Sequence, residues 1–157
     1  MSYYDSIAPG YNELHAEEQL AKYRIIKELL QLPADAKVLD VGAGTGIGYS
    51  VIHNLGIDPS PELIKQHPNK ASIVGSAEHL AFPDNSFDAV LCVTAIHHTD
   101  YKQALKEMLR VSRGPVAVTI LKKSSKLAEI LAHIESLNLE FERFEEDKDV
   151  IIVLRKA

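Results

Sequence analysis

Apolar residues recur along the chain in two periods. From Asn12 to Leu32 they fall at Leu14, Ile25, Ile26, Leu29 and Leu30, the stripe of an amphipathic helix that Pro33 ends. Lys37–Val41 is a short apolar run of strand type, and a second run ends at Asp58. Ser60-Pro61 pairs a helix cap with proline at the first helical position. Ser72–Gly75 gives a short third strand, and Phe87–Val93 is nearly continuous in apolar residues, as a central strand must be. Tyr101–Ser112 carries Ala104, Leu105, Met108 and Leu109 on one helical face. Gly114-Pro115 breaks the chain before the strand Val116–Leu121. Ser124 or Ser125 then caps a helix that buries Leu127, Ile130, Leu131 and Ile134. Phe141–Phe144 and Val150–Leu154, joined by a polar turn over Glu145–Asp149, form a β-hairpin.

Strand and helix signals alternate, which predicts helices on both faces of a parallel sheet. The fold class is therefore α/β: a doubly wound, mostly parallel seven-stranded sheet with a C-terminal antiparallel hairpin. No linker, repeat or low-complexity segment interrupts the chain, so 1–157 is expected to be one domain, with 1–34 a lid and helix and 35–157 a binding core.

Composition changes this picture little. The chain has 157 residues, 46% of them hydrophobic and 25% charged, ordinary for a globular domain. Net charge of -5 gives no global attraction for nucleic acid. With no signal peptide, no apolar run of membrane-spanning length and one cysteine, Cys92, a reducing cytoplasm is the expected compartment. Cys92 lies inside a strand and is expected to be a small buried hydrophobe. The seven histidines lack the spacing of a metal site, so no metal is expected.

The chemistry concentrates at Val38-Leu39-Asp40-Val41-Gly42-Ala43-Gly44-Thr45-Gly46, a strand that runs into three alternating glycines. Glycines are required where a backbone turns tightly or a ligand lies against it. The nicotinamide fingerprint G-x-G-x-x-G would need glycine at position 47 or 49, and these are Ile47 and Tyr49. The pattern present is D-x-G-x-G-x-G, with Asp40 two residues before Gly42. It resembles motif I of the class I S-adenosylmethionine-dependent methyltransferases, and most closely the methyltransferase type 11 family, which includes quinone-biosynthesis methyltransferases. The terminal hairpin agrees with that Rossmann-like fold, and the resemblance covers nearly the whole chain.

The resemblance implies S-adenosyl-L-methionine as cofactor and assigns roles along the chain. Tyr3 to Asn12 is similar to a segment that folds over the methionine end, with Tyr4 and Tyr11 as lid aromatics. Asp40, Gly42, Ala43, Gly44 and Gly46 lie under the methionine portion, Asp40 organising the loop and attracting the ammonium through water. Asp58, followed by Pro59, accepts from both ribose hydroxyls, a role that suits the two oxygens of a carboxylate. Gly75 to Asp88 is similar to the family's G-D-A-E-x-L-P-F-x-D-x-S-F-D stretch, in which Ser76, Ala77 and Glu78 meet the adenine side; Ser76 stands where aspartate is usual. Val93 and Thr94 line the cofactor, and His97 or His98 is the candidate general base, since imidazole titrates near neutral pH.

Eighteen positions separate Asp40 from Asp58, fewer than is usual in the family, so the intervening helix is cut to one or two turns. The expected function is methyl transfer, with the acceptor open among small molecules, tRNA and protein. Scarce insertions imply an open acceptor site, or one completed by a second copy or a partner subunit; no membrane association is expected. Two alternatives stand beside it: a catalytically silent cofactor- or partner-binding member of the fold, and an aminopropyl transferase. The basic cluster Lys122 to Lys126 and the acidic run Glu140 to Asp149 are expected to be solvated surface.

Overall fold

The computed structural model describes residues 9–156, with side chains from Glu13 onward. Tyr4 and the side chain of Tyr11 lie outside the described residues, so the lid assignment does too.

Helix α1 spans Pro9–Leu30 and stops where Gln31 turns left-handed, ahead of Pro33. Strand β1 (Val38–Val41) leads through the glycine loop and a single 3₁₀ turn, Ile47–Ser50, into β2 (Leu55–Asp58). Helix α2 is only Pro61–Ile64, capped as expected by the Ser60 hydroxyl, which accepts from Leu63 N–H. Strand β3 is the two-residue Ile73–Val74. Then come β4 (Ala89–Val93), α3 (Tyr101–Val111), β5 (Val116–Leu121), α4 (Leu127–Ser136), β6 (Glu140–Glu145) and β7 (Asp149–Arg155).

These form a seven-stranded sheet in the order β3-β2-β1-β4-β5-β7-β6. The five strands from β3 to β5 run parallel, while β7 is antiparallel to both β5 and β6. The period-2 pattern sorts the strands' side chains to two faces. Val90 and Cys92 of β4, Val118 and Ile120 of β5 and Ile152 of β7 pack with Leu105 of α3 and Ile130 of α4. Leu91, Ala117, Ile151 and Val153 pack on the other face with Tyr23, Ile26 and Leu30 of α1. Both faces are covered, which is why β4 and β7 read as unbroken apolar runs.

Three local expectations need correction. Lys126, not Ser124 or Ser125, stands at the N-cap of α4 and makes no side-chain cap bond; Ser124 Oγ instead accepts from Lys126 N–H. Phe87 is not in β4 but forms an isolated bridge to Ser112. The acidic hairpin turn is shorter than its composition suggests, and Asp149, expected on the surface, is fully buried.

The short crossover leaves a gap beside β2 that His67 fills. A Cβ on Gly46 or Gly56 would stand 2.7 or 2.5 Å from its ring. Asn69 N–H donates to His67 Nδ1 (3.0 Å), so Nε2 carries the proton and donates to Asn54 Oδ1 at 3.1 Å. Burial lowers the pKa of this imidazole and keeps it neutral.

Candidate functional site

All five parallel strands present their carboxyl ends to one edge, and strand order reverses between β1 and β4. A crevice at such a reversal is where open α/β sheets bind ligands. The loop after β1 and the turn after β4 flank it.

The loop is built by its glycines. Gly42, Gly44 and Gly46 all have left-handed φ, at 75°, 58° and 81°. A Cβ on Gly42 would stand 2.7 Å from the Ala95 methyl group, so the missing side chain is what lets the turn after β4 close on the loop. At Gly44 the nearest atom, on Leu63, is 4.0 Å away, leaving open room over the backbone. The N–H groups of Gly42 and Ala43 both donate to the Ile57 carbonyl, at 2.8 and 3.1 Å, hooking the loop over β2.

Asp58, 9% exposed, is the junction of this edge. Its Oδ2 accepts from Gly44 N–H (3.0 Å) and its Oδ1 from Ser60 N–H (2.9 Å). A carboxylate oxygen has more than one lone pair, so each can still accept from a ligand hydroxyl. Asp40 lies behind the loop with no exposed surface. The Tyr23 hydroxyl of α1 donates to its Oδ2 at 2.7 Å, while Oδ1 has no hydrogen-bond partner among the described residues. Burial chiefly, and the neighbouring Asp58 charge, raise the Asp40 pKa to about 7 against the pull of Tyr23.

The turn after β4 carries the histidines. His97 is 8% exposed and neither ring nitrogen has a partner among the described residues. Burial lowers its pKa, His98 adds to this, and Asp149 opposes it, so the ring is a neutral base at pH 7. His98 is exposed and its ring lies 4.1 Å from that of His97. Of the residues that follow β2 and β3, Ser76 and Glu78 are half-buried, Ala77 is buried and Pro59 is exposed. The Glu78 carboxylate accepts from Asp100 N–H at 3.0 Å, at the start of α3. Cys92 is fully buried, and burial raises its thiol pKa well above the ordinary value, so it is no nucleophile.

A family model described as a methyltransferase domain matches residues 39–120, the stretch that holds this whole edge. The chain belongs to that family. The methyltransferase domain is 36% identical over 117 residues to an uncharacterized protein of Methanocaldococcus jannaschii, covering 69% of this chain and 45% of that one. It is 32% identical over 124 residues to a demethylmenaquinone methyltransferase of Paenarthrobacter aurescens, covering 70% and 49%. The chain spans about half the length of these curated relatives. A solved structure from Pyrococcus horikoshii shares the fold, with TM-score 0.74 and 19% identity, covering 99% of this chain and 98% of that one.

The structure of the methyltransferase domain adds residues that sequence reasoning passed over: Tyr23, and a buried group of Lys22, Thr119 and Asp149 around Thr94. One signal was there. Lys22 stands four residues before Ile26 and eight before Leu30, on the apolar stripe itself. Among the described residues no helix is long and apolar enough to cross a membrane, and no group of three or more His, Cys, Asp or Glu could hold a metal.

The Asp40 pKa gives a stability test. Its folded value is raised from 3.8 to about 7, so between these pH values the folded state binds the extra proton. Asp40 should therefore make the ligand-free domain lose stability as pH rises from about 4 to about 7. Urea denaturation of Asp40→Asn should lack that decline, relative to the unsubstituted domain. Parallel pH profiles would show that Asp40 folds in ionised.

Proposed function

We propose that this domain transfers the methyl group of S-adenosylmethionine to a nucleophilic acceptor. The observation that carries the reading is the pairing of an open glycine backbone at Gly44 with the Asp58 carboxylate at a strand-order reversal. The residues fit the donor. Asp58 suits the ribose diol, the glycine loop leaves room for the methionine portion, and Asp40 Oδ1, with no hydrogen-bond partner among the described residues, lies behind it. Ser76 and the Ala77 backbone stand on the adenine side, and Val93 and Thr94 at the end of β4.

The bound donor supplies an activated methyl group; the protein's contribution is to bind, orient and desolvate. His97, neutral and with no hydrogen-bond partner among the described residues, can take a proton from an acceptor oxygen or nitrogen. Asp58 holds negative charge near a cationic ligand, which favours the donor over neutral competitors, and a cation bound in front of Asp40 would draw its proton off. The connections on the acceptor side are short, such as that between β6 and β7. This openness supports an acceptor that is macromolecular or held partly by another chain. The one-turn crossover after the glycine loop favours a second reading, a domain that binds the donor without transferring its methyl group.

Thermal denaturation tests the donor. Saturating S-adenosylmethionine or S-adenosylhomocysteine, at about 100 times Kd, should stabilise by about 2.7 kcal/mol and raise Tm, while nicotinamide dinucleotides leave it unchanged. Equal shifts from both ligand classes would sink the assignment. Labelled-methyl transfer into cell extract separates the enzyme from the silent binder.

A further inference from the structure

Behind the carboxyl end of β4 lies a charged group that the donor site as described does not use. Lys22 reaches from α1 to Asp149 Oδ1 at 2.9 Å and donates to Thr94 Oγ1 at 3.1 Å. The hydroxyls of Thr94 and Thr119 donate to Asp149 Oδ2 at 2.7 and 2.8 Å. Thr119 Oγ1 in turn accepts from Thr94 N–H at 2.8 Å. Lys22 is 2% exposed and Asp149 fully buried, so neither charge is solvated and each is compensated only inside the protein.

Thr94 is the member of the group that reaches the crevice, being half-buried where the other three members are not. Its φ is 53°, a left-handed backbone that a β-branched residue adopts only when its surroundings impose it. Here they do: its N–H and its hydroxyl are both held by the group. The left-handed turn directs Ala95 against Gly42 and leads into His97. Lys22 and Asp149 thus fix the shape of the edge and set the charge immediately beneath it.

We propose that Lys22 and Asp149 are positioning residues for the sulfonium end of the donor. Acting through Thr94, they form a floor whose paired charges cancel, so that the site holds both the cationic donor and its neutral thioether product. This rests on the reading of the glycine-loop edge as the donor site. A pair that only clamps α1 to the sheet would alter stability and would change both affinities together. A pair beneath the sulfonium would change their ratio.

The experiment is calorimetric titration of S-adenosylmethionine and S-adenosylhomocysteine into the unsubstituted chain, Lys22→Met, Asp149→Asn and the double variant, at one pH and ionic strength. Lys22→Met leaves the Asp149 carboxylate uncompensated and should shift the affinity ratio toward the sulfonium by about three- to tenfold. Asp149→Asn leaves the ammonium uncompensated and should shift the ratio the other way by a similar factor. The double variant should return to within about twofold of the starting ratio. If one single variant does not fold, the other single variant and its reversal in the double variant decide. Equal changes for both ligands, or shifts of the same sign in both single variants, overturn the proposal while leaving the donor site intact. Failure of the unsubstituted chain to bind either ligand overturns the donor-site reading, and the proposal with it.

Discussion

Asp58→Ala is expected to weaken S-adenosylmethionine binding by about 100-fold or more. Two hydrogen bonds from ribose hydroxyls to one carboxylate would be lost, each worth about 1.5–3 kcal/mol. The same substitution frees the N–H groups of Gly44 and Ser60, so the glycine loop also loses the anchor that sets its shape. Calorimetry separates the two contributions. The unsubstituted chain should prefer S-adenosylhomocysteine over its 2′-deoxy analogue by tenfold or more, on the order of one charge-assisted hydrogen bond. Asp58→Ala should bind both analogues equally weakly. Unchanged affinity in the variant would remove the ribose role altogether.

The second large effect falls on stability. Asp149→Ala is expected to destabilise the domain by about 3–5 kcal/mol, because it leaves the Lys22 ammonium buried without its counter-charge. For a chain of this size that corresponds to a fall in Tm of roughly 10–15 °C. Exposed Asp147, two residues earlier in the turn that leads into β7, is the control; Asp147→Ala should change stability by about 0.5 kcal/mol or less. Adding Lys22→Met to Asp149→Ala should recover much of the loss, since the uncompensated charge is then gone. A loss below about 1 kcal/mol for Asp149→Ala alone would mean that the pair carries no such weight.

The architecture was legible because it rests on short-range patterns. The run Ala89–Val93 is apolar throughout because both faces of β4 are covered, and that is visible in the sequence. Gly42, Gly44 and Gly46 announce a left-handed loop because no other residue adopts those angles cheaply. The distance from Asp40 to Asp58 limited the crossover helix, and a single 3₁₀ turn is what stands there. The boundaries that moved were decided by hydrogen bonds to the backbone, one long-range and one local. Phe87 is drawn out of β4 into a bridge with Ser112. The start of α4 is set by the backbone after β5 and not by a serine cap.

By itself, then, the sequence determined the fold class, the family's glycine loop and the acidic residue that closes β2, since each follows from residue types at fixed local spacing. Only the tertiary structure decided which charges are buried. Nothing near Lys22 in the chain says that Asp149, 127 positions later, will meet it at 2.9 Å. An acidic turn ordinarily faces water. The antiparallel return of β7 beside β5 instead carries Asp149 to the carboxyl edge, where Thr94 and Thr119 donate to Oδ2 and the Lys22 ammonium balances its charge. Burial of a charge depends on partners gathered from four elements, and that gathering exists only once the sheet has closed in its final order.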